Sequence, residues 1–230
     1  MSPSFAVVMS TDGDSRLGVT LRQLVKQLFS DCGVFIWNNR KEESRSVDAI
    51  CSRAATKKHP IHTVHSQHDI GGRGRQLLAR YLRLKHGYRY ALFVPGNQLP
   101  PLGLIPQLWG ERQACSIVST FVSQYTGDSW PGRVVNAAAT GNFCSLDYAI
   151  ADTELFAYDQ YWALWPEKYW GCDDIWCGTM ANALSVRLVQ ANWRMSYKRA
   201  KTKLDDELLQ LMYSPQQGRH GKPLYIDSLP

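Results

Sequence analysis

The feature that most constrains this chain is the alternation of short apolar runs with helix-period segments near its start. Phe5-Ala6-Val7-Val8-Met9 is apolar throughout and stops in the polar turn Ser10-Thr11-Asp12-Gly13-Asp14-Ser15. A run with no polar alternation reads as a strand covered on both faces, as in a parallel sheet. Leu17, Leu21, Leu24, Val25 and Leu28 then recur at helical spacing, and Val34-Phe35-Ile36-Trp37 is a second apolar run ending in Asn38-Asn39-Arg40. Strand, helix and strand at this spacing make a βαβ unit.

The same reading predicts further strands over 61–65, 90–94, 116–122, 134–138 and 188–193. It predicts helices over 76–85, 104–109 and 204–212, the last followed by a tail rich in proline and glycine. No repeat, low-complexity tract or linker interrupts the pattern. The expected architecture is therefore one α/β domain over 1–230, Rossmann-type, with a mostly parallel sheet flanked by helices. Within it lie three stretches, 1–110, 111–200, and a C-terminal helix and tail over 201–230.

Ligands of open α/β sheets bind beyond the carboxyl ends of the strands. Those ends carry Ser10-Thr11-Asp12, Asn38-Asn39 and Gly96-Asn97-Gln98, all small or polar, which together suggest a nucleotide pocket. Each piece alone says little, because turns after strands are polar anyway. The net charge of +6 favours a polyanionic partner, nucleotide or nucleic acid, although solubility alone would also account for it. Six cysteines without a CxxC pair indicate neither a zinc site nor a disulfide framework, and fit reduced thiols. With no signal-peptide pattern and no apolar stretch of membrane-spanning length, a cytoplasmic monomer is expected. His59, His62, His65 and His68 recur every third residue, which a strand would send to alternate faces, so they read as surface groups rather than metal ligands.

One segment carries more chemistry than the rest. Cys172-Asp173-Asp174-Ile175-Trp176 places two carboxylates ahead of a helical pattern, bracketed by Trp165, Tyr169, Trp170 and Trp176. Both acids would lie in the first turn, where the helix dipole stabilises negative charge. They could cap that helix beside an aromatic cluster. Equally, one could take a proton from an acceptor hydroxyl held between aromatic walls. The residues alone leave both open.

Taken in order, these segments resemble the GT-A-fold glycosyltransferases, enzymes of nucleotide-sugar donors. Val7-Val8-Met9-Ser10-Thr11 looks like the family's first strand, whose end meets the nucleotide base. Phe35-Ile36-Trp37-Asn38-Asn39 is similar to the second-strand motif of the exostosin-like branch, and Gly71-Gly72-Arg73-Gly74-Arg75 stands where the family has a glycine-rich turn. Thr140-Gly141-Asn142 looks like the turn beside the donor sugar, and Asp173-Asp174 like the acidic pair ahead of the last helix. The resemblance runs from Phe5 to Trp193, and it implies a nucleotide-binding half over 1–110 and an acceptor and catalytic half over 111–200. It implies a UDP-sugar donor, with Ser10, Thr11, Asp12, Asn38, Asn39, Arg73, Arg75, Asn97 and Gln98 on the nucleotide. It also implies Asp174 as general base, with Asp173 orienting the acceptor or tuning its neighbour.

The chain departs from the family where an acidic metal motif should follow the fourth strand. Val94-Pro95-Gly96-Asn97-Gln98 keeps the strand end but offers only neutral carbonyl oxygens to a hard cation. The expectation is weak dependence on Mn²⁺ or Mg²⁺, with Asn97 and His220 as the available ligands. Arg73 and Arg75 would neutralise the diphosphate instead. The sequence looks most like the TET-associated glycosyltransferases of phages, which implies 5-hydroxymethylcytosine in viral DNA as acceptor. Such a base must be flipped out of the stack, here towards Trp130, Trp165, Tyr169, Trp170 and Trp176, while Lys198, Arg199 and Lys201 follow the DNA backbone. A glycan or small-molecule acceptor, or a nucleotide-sugar-binding pseudoenzyme, are the alternatives.

Overall fold

The computed structural model describes residues 5–13, 15–29, 32–123, 143–193, 195, 203, 204, 207 and 208. Its centre is β1 (Phe5–Thr11), buried along nearly its whole length because helices cover both faces of the sheet. Phe5, Val7 and Met9 enter one layer and Ala6 and Val8 the other, as the two-residue period of a strand requires. The first layer is filled by Leu17, Leu21 and Leu24 of α1 (Leu17–Gln27) and by α2 (Ser44–Ala54). The second is filled by Leu78, Ala79 and Leu82 of α3 (Arg73–His86).

β1 pairs in parallel with β2 (Val34–Asn38) and with β4 (Tyr90–Phe93), and β3 (Ile61–His65) pairs outside β2. After α4 (Leu104–Glu111) come β5 (Ser116–Ser119), β6 (Val122–Ser123), β7 (Phe143–Cys144) and β8 (Ala149–Asp152). Two short helices follow, α5 (Glu154–Ala157) and α6 (Asp159–Ala163), then α7 (Asp173–Ala183) and β9 (Arg187–Gln190). The main sheet has seven strands in the order β3-β2-β1-β4-β8-β5-β9. Only β8 runs against the others, antiparallel to both β4 and β5. The sheet is therefore mixed but mostly parallel, and it draws strands from both halves of the chain.

Several elements differ from the sequence reading. The run over 116–122 breaks after Ser119, whose hydroxyl donates to the Ser145 carbonyl and accepts the Phe121 N–H, and the remainder pairs with β7 as a separate ribbon. β8 was not expected, since its four residues carry no period of their own. Neither was α2, in which only Val47, Cys51 and Ala54 are buried on an otherwise polar helix. His59 is buried with its Nδ1 3.9 Å from the Cys32 sulfur, so it is a core residue and not the surface group expected. Of the helix expected over 204–212, the described residues 204, 207 and 208 are helical, as is 203 just before it. The strand expected over 134–138 lies outside the described residues. No helix among the described residues is long and apolar enough to cross a membrane.

Candidate active site

Beyond the carboxyl ends of β1, β2 and β4 lies an open cleft of about 830 Å³. The end of β1 supplies Ser10, Thr11 and Asp12, the segment after β2 supplies Asn39 and Arg40, and the turn before α3 supplies Gly71 and Gly72. Pro95, Gly96, Asn97 and Gln98 form a further edge. A Cβ on Gly96 would stand 2.5 Å from the Ser10 carbonyl, so only glycine lets this loop close onto β1. Asn39 ties three of these pieces together. Its amide donates to Asp12 Oδ1 and to the Gly71 carbonyl, both at 3.2 Å, and its oxygen accepts the Ile70 N–H at 3.3 Å.

At the cleft floor sits a buried arginine surrounded by acids. Arg75, in the first turn of α3, donates to Asp173 Oδ2 from Nε at 3.2 Å and from Nη2 at 2.8 Å. Nη1 reaches Asp147 Oδ1 at 2.9 Å, and Asp174 Oδ1 lies 3.5 Å from Nη2. Burial alone would push the guanidinium's pKa down, but the carboxylates of Asp173, Asp147 and Asp174 outweigh it and hold the group above arginine's ordinary value. Removing one partner of such a cluster leaves an uncompensated buried charge, which is the costly event. Gly72 makes the approach feasible, because a Cβ there would fall 1.9 Å from Asp173 Oδ2.

Asp173 and Asp174 do begin a helix, as their position predicts, and the N-cap position itself is taken by Cys172. Asp173 turns to Arg75, and Asp174 Oδ1 accepts the Leu146 N–H at 2.8 Å. Asp173 lines the cleft, whereas Asp174 is only 3% exposed and does not.

Other expected site residues separate into groups. Ser10, Thr11, Asp12, Asn39, Arg75, Asn97 and Gln98 are brought together at the cleft. Asn38 is not. It is fully buried, donating to the Arg40 carbonyl at 2.6 Å and standing 3.1 Å from His65 Nδ1. Arg73 also misses the cleft, its guanidinium lying 4.0 Å over the Trp170 ring, where burial lowers its pKa. Arg75 reaches the cleft with its charge already answered by three carboxylates, which leaves it poorly placed to neutralise a diphosphate. Trp165, Tyr169 and Trp176 pack in the core, with Trp165 and Trp176 stacked at 5.5 Å, so they offer no open face to an acceptor base. Only Trp170 of the four aromatics is partly exposed. Trp130, Thr140, Gly141, Asn142, Lys198, Arg199, Lys201 and His220 lie outside the described residues.

The cleft also contains residues that the sequence did not single out. Arg40, Glu43, Asp69, Asp147 and Tyr148 all line it. For Asp147 a faint signal existed, since it is a lone acid interrupting an otherwise apolar approach to a strand. Among the described residues, Asp12, Glu43, Asp69, Asp147 and Asp173 face only Arg40 and Arg75, so this part of the lining is acidic although the chain is basic. Even so, no three acidic, histidine or cysteine side chains among the described residues are grouped to hold a metal ion. Asn97 and Gln98 bring neutral oxygens only, and the described residues therefore do not fit a tightly held divalent cation.

No family model matches the chain, and no curated protein matches it with significance. Solved structures do resemble it. A mannosyltransferase from Pyrobaculum calidifontis, solved with GDP-Man and Mn²⁺, superposes with a TM-score of 0.61 at 14% identity, covering 89% of this chain and 59% of that one. GalNAc-T7, solved with UDP, GalNAc and Mn²⁺, gives a TM-score of 0.58 at 9% identity over 92% of this chain and 48% of that one. The chain thus spans between about half and three-fifths of the structures it resembles. At identities this low the likeness is one of architecture, and it shows that the chain has the fold of the GT-A glycosyltransferases.

Proposed function

We propose that this chain is a glycosyltransferase, moving a sugar from a nucleotide-diphosphate donor to a hydroxyl acceptor. The observation that carries the proposal is the buried cluster of Arg75 with Asp147, Asp173 and Asp174 at the floor of the cleft. In such a transfer the bond from the sugar C1 to the diphosphate oxygen breaks, and its electron pair leaves with the diphosphate. The acceptor oxygen bonds to C1 and gives up its proton to a carboxylate, which must be positioned for it. Gly71 and Gly72 present the N-terminal end of α3 to the same cleft, where backbone N–H groups favour phosphate oxygens.

We propose a UDP-sugar as donor and 5-hydroxymethylcytosine in viral DNA as acceptor, in a cytoplasmic, monomeric protein. The motif resemblance and the net charge of +6 support this reading. Dependence on Mn²⁺ or Mg²⁺ is proposed to be modest, because the loop after β4 carries Asn97 and Gln98 in place of acids. A second reading has its own support. The acid-rich lining would repel a phosphate backbone, which favours a neutral glycan hydroxyl at the cleft itself.

The test is mass spectrometry of 5-hydroxymethylcytosine DNA and of simple glycans after incubation with a panel of UDP- and GDP-sugars. A hexose added to DNA supports the first acceptor, and one added to a glycan the second. Donor binding without product on either would mean a pseudoenzyme.

A further inference from the structure

The three carboxylates on Arg75 differ in what else they can touch. The side chains of Asp173 and Asp174 are only 7% and 4% exposed, while that of Asp147 is 38% exposed and lines the cleft. Asp174 already holds the Leu146 N–H, and Asp173 takes two arginine nitrogens on one oxygen. Asp147 takes one, Arg75 Nη1 at 2.9 Å on Oδ1.

Its backbone is fixed from both sides. The Asp147 N–H donates to Ser145 Oγ at 3.0 Å, and its carbonyl accepts from Thr120 Oγ1 at 3.1 Å. The next residue, Tyr148, has φ of 61°, a left-handed conformation that side chains other than glycine's rarely adopt. Strain of this kind costs on the order of 1–3 kcal/mol and persists where surrounding contacts over-determine it, which happens most often at functional sites. Here the Tyr148 carbonyl is held by the Thr120 N–H at 3.3 Å, and its ring is buried. The strained turn puts the Asp147 carboxylate into the cleft and its neighbour's ring into the core.

We propose that Asp147 is the catalytic residue that takes the acceptor proton, while Asp173 and Asp174 hold the guanidinium that faces it. This rests on the glycosyltransferase reading and names the acting group within it. An acceptor hydroxyl in the cleft can reach Asp147, whereas Asp174 does not line the cleft at all. As the acceptor oxygen closes on C1, its proton passes to Asp147 and the diphosphate departs with the C–O electron pair.

The experiment uses the donor and acceptor for which unmodified protein shows transfer, and compares Asp147→Asn, Asp147→Ala and Asp174→Asn. A positioned base contributes about 10²–10⁴-fold, so both Asp147 variants should lose that factor in kcat with donor Kd unchanged. Azide is already an anion and needs no base. Added azide should therefore let Asp147→Ala form glycosyl azide, seen by mass spectrometry, at a rate approaching the unmodified protein's transfer to hydroxyl. Near-normal transfer by Asp147→Asn would overturn the assignment, as would equal loss towards hydroxyl and azide. So would a loss of this size confined to Asp174→Asn, which would identify Asp174 as the base. Absence of product from the unmodified protein with every donor is a separate result, and it removes the transferase reading before this one is reached.

Discussion

Two nitrogens of Arg75, Nε and Nη2, converge on a single oxygen of Asp173, at 3.2 and 2.8 Å, across 98 positions of sequence. The contact joins the first turn of α3 to the first turn of α7, so it sets the spacing of two helices as well as the charge at the cleft floor. Its energetic weight lies in the burial of both partners, each 7% exposed at the side chain. An exposed pair of the same geometry would contribute little.

Arg75→Met should therefore be severely destabilising. It leaves three acids without their cation, and breaking a buried pair costs roughly 3–5 kcal/mol. Urea unfolding followed by tryptophan fluorescence measures it. Unchanged stability would mean that water already carries these charges.

Gly72→Ala should disturb the same contact from the other side. The new methyl would stand 1.9 Å from Asp173 Oδ2, and overpacking of this kind costs about 1–3 kcal/mol. Gly110→Ala is the matched comparison, because a Cβ there meets nothing within 4 Å and the residue lies in α4. It should gain up to about 1 kcal/mol from helix propensity. Melting temperatures that move the same way in both variants would contradict the geometry.

A nucleoside diphosphate should stabilise the fold. With UDP at 100 times its Kd, the gain is about 2.7 kcal/mol, readable as a rise in Tm. Asn39→Ala should shrink that rise, since Asn39 bridges Asp12, Ile70 and Gly71 at the end of the cleft formed by β1 and β2. Calorimetry at millimolar UDP that shows no heat and no Tm shift would rule out a uridine site.

Activity should survive EDTA in large part, because no acid stands at Gly96-Asn97-Gln98. Complete loss, restored by Mn²⁺, would show that a metal is held by acids such as Asp12 or Asp69 in a bound state.

The cysteines give a test of burial that needs no substrate. Five are buried and only Cys115 is exposed. Burial, with the nearby Asp48 adding to it, pushes the Cys51 thiol up to about 11, and Cys144 is raised by a thiol–thiol hydrogen bond with Cys177 and by burial. At pH 8 a thiol reagent should consume about one equivalent quickly from native protein and six after denaturation. Rapid reaction of a second thiol in the native state would show that one of the two packed layers opens, that of α7 if the thiol is Cys144, Cys172 or Cys177.

The sequence revealed the first half of the fold well because its strands are buried on both faces and therefore spell themselves as unbroken apolar runs. Phe5–Met9 and Val34–Trp37 are of this kind. β8 is buried as fully, but its four residues between Tyr148 and Thr153 carry too little pattern to distinguish a strand from a loop. The strand-end positions Ser10, Thr11, Asp12 and Asn39 could be read because a parallel sheet makes its carboxyl ends converge. Asn38 has the same composition and the neighbouring place, but the pleat sends it the opposite way, to His65. The aromatic residues around Asp173 misled for a related reason, since a ring that packs a core and a ring that receives a base look alike in sequence. Asp147 was missed because its partner, Arg75, lies 72 positions away.

That separation bears on how the chain is made. A ribosome releases Arg75 and the four strands β1 to β4 long before Asp147, Asp173 and Asp174 exist as polymer. During that interval the guanidinium has none of its three anions, and burying it alone would cost more than the early strands could offset. The N-terminal half can collapse on the α1 side of the sheet at once, but the α3 side must stay hydrated around Arg75 until α7 arrives. A chain that stops short of α7 lacks two of the three carboxylates on this guanidinium, so only one that includes α7 can bury the arginine with its charge fully answered.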